Sequence, residues 1–145
     1  MPLDIRLAEP ADVPALFHVR TSVRENHISR ERLTEMGITD ASISAMISAS
    51  PCAWVAVLDG EIVGFSMIAI TDASLFAAFV LPSHQGKGLG TRLVLEAESE
   101  LFRHHSEIWL ETDKDSRAAD FYKHLGWSNE RQAKGSEIRL TKTRP

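Results

Sequence analysis

Leu3-Asp4-Ile5-Arg6-Leu7 alternates apolar and polar residues, the period-two pattern of a strand with one buried face. Glu9-Pro10-Ala11-Asp12 interrupts it, and Asp12 or Pro14 opens a helix. In that helix Val13, Leu16, Phe17, Val19 and Val23 keep a spacing near 3.6 and form a core face. The polar cluster Arg24-Glu25-Asn26-His27 stands where the helix should end. Ser29 starts a second helix loosely, since Arg32 stands where a capping box needs an acid or amide. Thr39-Asp40-Ala41-Ser42 starts a third, with Ile43, Met46 and Ile47 at helical spacing and Ser50-Pro51 as its stop. Two short helices on a polar hinge are therefore expected between 24 and 50.

Residues 53–58 and 62–70 are β-branched, apolar runs joined by Asp59-Gly60-Glu61, and Asp-Gly predicts a tight hairpin of type I′. Gly64 inside the second run marks a bulge or a close approach. Thr71-Asp72-Ala73 makes another turn before a strand over 75–81, so three antiparallel strands form a meander. A long helix from Gly88 to about Arg103 carries Leu89, Leu93, Ala97 and Leu101 on one stripe, with Val94 and Phe102 beside it. Glu96, Glu98 and Glu100 are expected to face water. His104 and His105 do not share a helix face, so they read as a solvated helix end and not a metal site. Residues 108–110 form a strand, Thr112-Asp113-Lys114-Asp115-Ser116 a polar turn, and 117–125 a helix closed by Gly126. Trp127 and residues 138–140 supply the last strands. The fold class is α+β: a mixed, mostly antiparallel sheet of six or seven strands flanked by helices. Three strands without an intervening helix exclude the doubly wound arrangement.

At 145 residues the chain has the size of one domain, 1–145, and with 43% hydrophobic and 25% charged residues it reads as globular, not disordered. Its 16 basic residues against 20 acidic ones give a net charge of -4 with no basic run, which argues against nucleic acid as a main partner. No apolar stretch approaches the ~20 residues of a membrane span, and the first residues lack the basic start and apolar run of a signal peptide. A cytoplasmic protein with no membrane partner is expected. The single cysteine, Cys52, excludes an intramolecular disulfide and a thiolate metal cluster, and its apolar surroundings in sequence read as a buried structural thiol. No metal is expected.

The candidate chemistry lies at Phe79-Val80-Leu81-Pro82-Ser83-His84-Gln85-Gly86-Lys87-Gly88-Leu89-Gly90-Thr91, where an apolar strand stops at a proline and a glycine-rich turn leads into the long helix. Backbone without side chains at a helix N-terminus suits an anion, phosphate above all. A Walker loop is excluded because Lys87 is followed by Gly88, and a dinucleotide fingerprint because Thr91 stands where its last glycine should be. Gln85-Gly86-Lys87-Gly88-Leu89-Gly90 resembles instead the acyl-CoA loop of the GNAT superfamily of N-acetyltransferases, Gln/Arg-x-x-Gly-x-Gly/Ala. The strand end of that family, hydrophobic-Val-x-Pro, is matched by Phe79-Val80-Leu81-Pro82. A second GNAT signature, Ala-x-x-Phe-Tyr-x-x-x-Gly-Phe/Trp after a strand and polar turn, is matched by Ala118, Phe121, Tyr122, Gly126 and Trp127. The asparagine frequent in that turn is Asp115 here.

The resemblance implies a GNAT-like acyl-CoA N-acyltransferase fold and transfer of acetyl from acetyl-CoA to a primary amine of a small molecule or peptide, through a ternary complex. It implies that the strands over 75–81 and 107–112 splay to admit the pantetheine arm, with Phe79, Val80 and Leu81 beside it. A backbone N–H near Phe79 or Val80 would meet the thioester oxygen. Gln85, Gly86, Lys87, Gly88, Leu89, Gly90 and Thr91 would hold the pyrophosphate, and Asp115, Ala118 and Tyr122 would touch the cofactor. Tyr122 is the candidate general acid. The strand before the loop carries no acid, so the base stays open among Glu111, Glu25 and His27. Arg24, Glu25, Asn26 and His27, a stretch that resembles bacterial members of the family, are the candidate acceptor-binding residues, and a mildly acidic chain suits a cationic amine. A homodimer is left open, with no interface patch in the sequence. The alternative is a non-catalytic module that binds acyl-CoA as a sensor or scaffold.

Overall fold

The alternating segment at the start forms β1 (Leu3–Leu7), the edge of a seven-stranded sheet, in a computed structural model that describes residues 3–25 and 27–145. Three helices follow, α1 (Val13–Ser22), α2 (Arg30–Glu35) and α3 (Asp40–Ala49). Their starts are the expected ones: Ser29 Oγ accepts the N–H of Arg32, and Thr39 and Ser42 exchange side chain and backbone bonds in a capping box. Asn26 lies outside the described residues.

The meander is β2 (Ala53–Leu58), β3 (Glu61–Ala69) and β4 (Ser74–Val80), antiparallel throughout, with Asp59 and Gly60 both at positive φ in the first hairpin as a type I′ turn requires. Then come α4 (Leu89–His104), β5 (Glu107–Asp113), α5 (Arg117–His124), β6 (Ser128–Gln132) and β7 (Glu137–Thr143). The sheet order is β1-β2-β3-β4-β5-β7-β6, in which β4 and β5 are the parallel pair. Trp127 is buried immediately before β6.

α1 and α4 cover opposite faces of the sheet. Alternate residues of β3 serve each: Ser66 donates its buried hydroxyl to Leu93 O of α4 at 2.8 Å, whereas Phe65 and Met67 face the α1 side with Phe17. Gly64 marks both features its position allowed. The ladder slips between Ala56 and Val57 opposite it, and a Cβ there would lie 3.0 Å from Phe79 O and 3.1 Å from Leu93 Cδ1. α4 therefore approaches the sheet closely at the point where it begins. Cys52 is buried, and burial pushes its thiol up from the ordinary range.

Glu98 does not face water. It is 5% exposed, its carboxylate accepting the indole N–H of Trp127 at 3.0 Å and the ammonium of Lys142 at 2.7 Å. Lys142 also donates to Leu125 O at 2.7 Å, so this pair ties α4 and β7 to the turn after α5. Glu96 is exposed as expected, and Glu100 pairs with Arg103 and His104.

Asp12, in a 3-10 turn before α1, accepts both terminal nitrogens of Arg6 at 2.8 and 3.1 Å and the N–H of Glu9 at 2.8 Å. The bond from Arg6 holds its carboxyl below the usual range. A depressed carboxyl stabilises the fold above its unfolded value of about 3.9 and loses that contribution as pH falls through its lower, folded value. Asp12→Asn should thus cost roughly 1–3 kcal/mol at neutral pH. In denaturant titrations the gap to the parent should close below about pH 4; a gap constant down to pH 2 would refute the assignment.

Candidate functional site

The parallel strands β4 and β5 share one register pair, Ser74 with Trp109, and then separate. The cause sits in β4. Met67 of β3 pairs with Ala77 but Ile68 pairs with Leu75, so Phe76 is an extra residue that bends the strand. Beyond this bulge the β3–β4 ladder is regular, and Leu81 donates to Val63 O at 2.8 Å. Antiparallel alternation then turns the N–H of Phe79 toward β3 and those of Ala78 and Val80 into the gap. The Val80 carbonyl points the same way and accepts the Gln85 amide at 3.3 Å. The gap is an opening lined by backbone.

At its mouth lies a cavity of about 650 Å³ lined by the glycine turn, the start of α4 and the start of α5. Gly86 and Gly88 sit at φ 78° and 80°, and Gly88 is the N-cap of α4 with no side-chain cap. A Cβ at either glycine would meet nothing within 4 Å. Positive φ explains the glycines, and the space above them is open beside the N-terminal N–H groups of α4. A Cβ on Gly90 would lie 3.5 Å from the Phe121 ring, so α4 and α5 run close together there.

Of the residues singled out from sequence, Phe79, Val80, Gln85, Gly86, Gly88, Leu89, Gly90, Thr91, Ala118, Arg24 and Glu25 line this cavity. Leu81, Lys87 and Asp115 do not. The N–H of Asp115 is turned onto Asp113 Oδ1 at 2.9 Å. Glu25 accepts the first N–H of α5, from Arg117, at 2.6 Å, and Arg117 in turn donates to the Gln85 side chain at 3.2 Å.

A second cavity, of about 630 Å³, meets the first at Ala78, Phe79 and Ala118. Its volume is that of a small-molecule site. Tyr122, Glu111 and His27 line it. Tyr122 is 8% exposed and packs its ring on Phe121 and Trp127, and burial pushes its phenol well above the ordinary value. Its hydroxyl makes no hydrogen bond among the described residues, and no side-chain polar atom there is buried without a partner, so the oxygen opens into the cavity. Glu111 is held by Arg139 at 2.8 and 3.1 Å, and that guanidinium stacks 3.9 Å from the centre of Trp109. His27 Nδ1 lies 3.1 Å from Val23 O. Arg20 stacks over Phe79 at 4.3 Å.

Several lining residues had no reading from sequence. Phe76 gained its place through the bulge, Arg117 through the start of α5, and Glu137 through pairing of β7 with β5. Only Arg117 left a signal, a cation directly after the Ser116 cap. Among the described residues no group of histidine, cysteine and acids could hold a metal ion, and no helix is long and apolar enough to cross a membrane.

Residues 16–127 match the model of the Acetyltransferase (GNAT) family. No curated protein matches the chain by sequence. Among solved structures it is similar to PaiA N-acetyltransferase from Thermoplasma acidophilum in complex with coenzyme A, at TM-score 0.79 and 20% identity over 99% of this chain and 100% of that one. Ard1 from Thermoplasma volcanium gives TM-score 0.74 and 19% identity over 99% and 98%. YncA from Salmonella typhimurium, with its cofactor acetyl-CoA, gives 0.74 and 17% over 99% and 94%.

Proposed function

The chain belongs to the acetyltransferase (GNAT) family, and from that premise we propose that it transfers an acetyl group from acetyl-CoA to a primary amine while both are bound. One observation carries the reading. A phosphate-type cradle and a cavity containing a buried tyrosine hydroxyl are joined through the gap between two splayed strands. The residues present fit acetyl-CoA, since the cradle is open above Gly86 and Gly88 and the N–H groups of Ala78 and Val80 turn into the gap.

Bound there, acetyl-CoA supplies an activated thioester carbonyl. The α4 N-terminus, with Gly86, Gly88 and Gly90, holds the pyrophosphate. Ala78 and Val80 offer their backbone to the pantetheine arm, and the N–H of Val80 is the fixed dipole that meets charge developing on the carbonyl oxygen. Tyr122 keeps its proton in its buried setting and gives it to the sulfur as the thiol leaves. Of the three candidate bases, Glu111 and His27 share the cavity of Tyr122, whereas Glu25 lies in the other and caps α5.

Acetyl-CoA and CoA should both raise thermal stability, by about 2.7 kcal/mol at one hundred times the dissociation constant. Free thiol should appear when a suitable amine is added. Absence of any shift at millimolar CoA would overturn the reading.

A further inference from the structure

Resting on the acetyl-transfer reading, we infer that the acceptor is a primary monoamine carried on an apolar, aromatic-sized body. Asp113 and Glu137 receive its ammonium, and Phe76 and Met36 cover its body.

The acidic end is built by strand register. Asp113 of β5 stands directly opposite Glu137 of β7, and both line the cavity of Tyr122. Like charges placed opposite one another destabilise a ladder. Two positions along the same ladder Glu111 faces Arg139 and is neutralised, whereas no cation pairs with Asp113 or Glu137 among the described residues. Among the described residues the Asp113 carboxylate accepts the N–H of Asp115 at 2.9 Å and the hydroxyl of Ser136 at 3.0 Å, both uncharged donors. An arriving ammonium supplies the missing countercharge. The Tyr122 hydroxyl, on a side chain more than nine-tenths buried and without a partner, opens into this cavity and marks it independently as a place where a ligand completes the bonding.

Large apolar side chains line the same cavity. Phe76, the bulge residue, is 48% exposed and Met36 52%, and both face this cavity. Large apolar side chains left half open at a site gain most from an apolar ligand. The cations lining the cavity are both engaged, Arg20 stacked on Phe79 and Arg32 3.5 Å from Glu35. With Glu111 already paired to Arg139, the facing Asp113 and Glu137 are the acids left to receive one ammonium in this cavity, which separates this acceptor from a polyamine.

In the reaction the ammonium gives one proton to the carboxylate pair, directly or through water, and the pair passes it on to solvent. Its lone pair forms the C–N bond, the C–S bond breaks, and the sulfur takes the proton of Tyr122. The second amine proton leaves to solvent, and solvent restores the phenol.

Thiol release should be measured with acetyl-CoA and phenethylamine, ethylamine, spermidine, glucosamine and phenylalanine. The expected kcat/KM for phenethylamine is at least tenfold above each of the others. Asp113→Asn and Glu137→Gln should each raise its KM about tenfold, with a smaller change in kcat and unaltered stabilisation by CoA. Phe76→Ala should raise KM for phenethylamine and leave that for ethylamine unchanged. A preference for spermidine, glucosamine or phenylalanine, or an unchanged KM in the double carboxylate variant, overturns the inference and leaves acetyl transfer standing. No release from any amine also overturns it, and the CoA-induced shift then reports separately whether the cofactor site itself is real.

Discussion

Tyr122→Phe is expected to lower kcat about 10²- to 10⁴-fold, the range spanned by one positioned general acid, with little change in KM. The substitution removes one oxygen from a ring wedged between Phe121 and Trp127, and that oxygen makes no hydrogen bond among the described residues. Folding and CoA-induced stabilisation should therefore persist. Burial raises the phenol above its ordinary value of 10.0, so the proton-bearing form survives beyond that pH. An alkaline loss of kcat centred at the ordinary tyrosine value is not expected. Turnover within threefold of the parent would make Tyr122 a wall of the cavity and nothing more. A chain that binds CoA firmly yet transfers acetyl to no amine, with or without Tyr122, would instead be a sensor or scaffold.

Glu98→Ala should produce the largest loss of stability, about 3–5 kcal/mol, because removing one partner of a buried ion pair leaves the other charge uncompensated. Lys142 would keep only the Leu125 carbonyl, and the Trp127 indole N–H would lose its acceptor. In a domain of this size the melting temperature should fall by roughly 10 °C or more. The double variant Glu98→Leu, Lys142→Met should recover much of this, since an apolar pair of similar volume removes the unpaired charge. A fall of less than about 3 °C in the single variant would mean that water reaches the pair. Trp127 donates its backbone N–H to Tyr122 O at 3.1 Å and its ring lies edge-on to the phenol, so Glu98→Ala should also depress kcat in the fraction that remains folded.

Glu98 illustrates what composition and periodicity cannot convey. Its position falls beside Ala97 and within one turn of Leu101, inside the buried face of α4, yet a glutamate among glutamates reads as solvated. What buries it are partners 29 and 44 residues away, brought to it by the turn after α5 and by β7. Asp113 has the same history: in sequence it is one of several cap-forming residues of a turn, and only the β5–β7 register sets it against Glu137. The bulge at Phe76 likewise has no local signature, because it arises from the match of β4 to β3.

What the chain states locally, it states in full. Caps at Ser29, Thr39 and Ser116, the Asp59-Gly60 hairpin and the glycines of the α4 entry depend on a few consecutive dihedrals and the bonds those dihedrals permit. The two family motifs are of this kind, which is why the family, the fold and the glycine turn into α4 were legible. Tertiary structure decided how far β4 stands from β5, which donors of β4 turn into the gap, which acids remain without a cation and which glutamate is buried. Each of these depends on strand register or on contacts distant in sequence, where a shift of one residue reverses the face a side chain occupies.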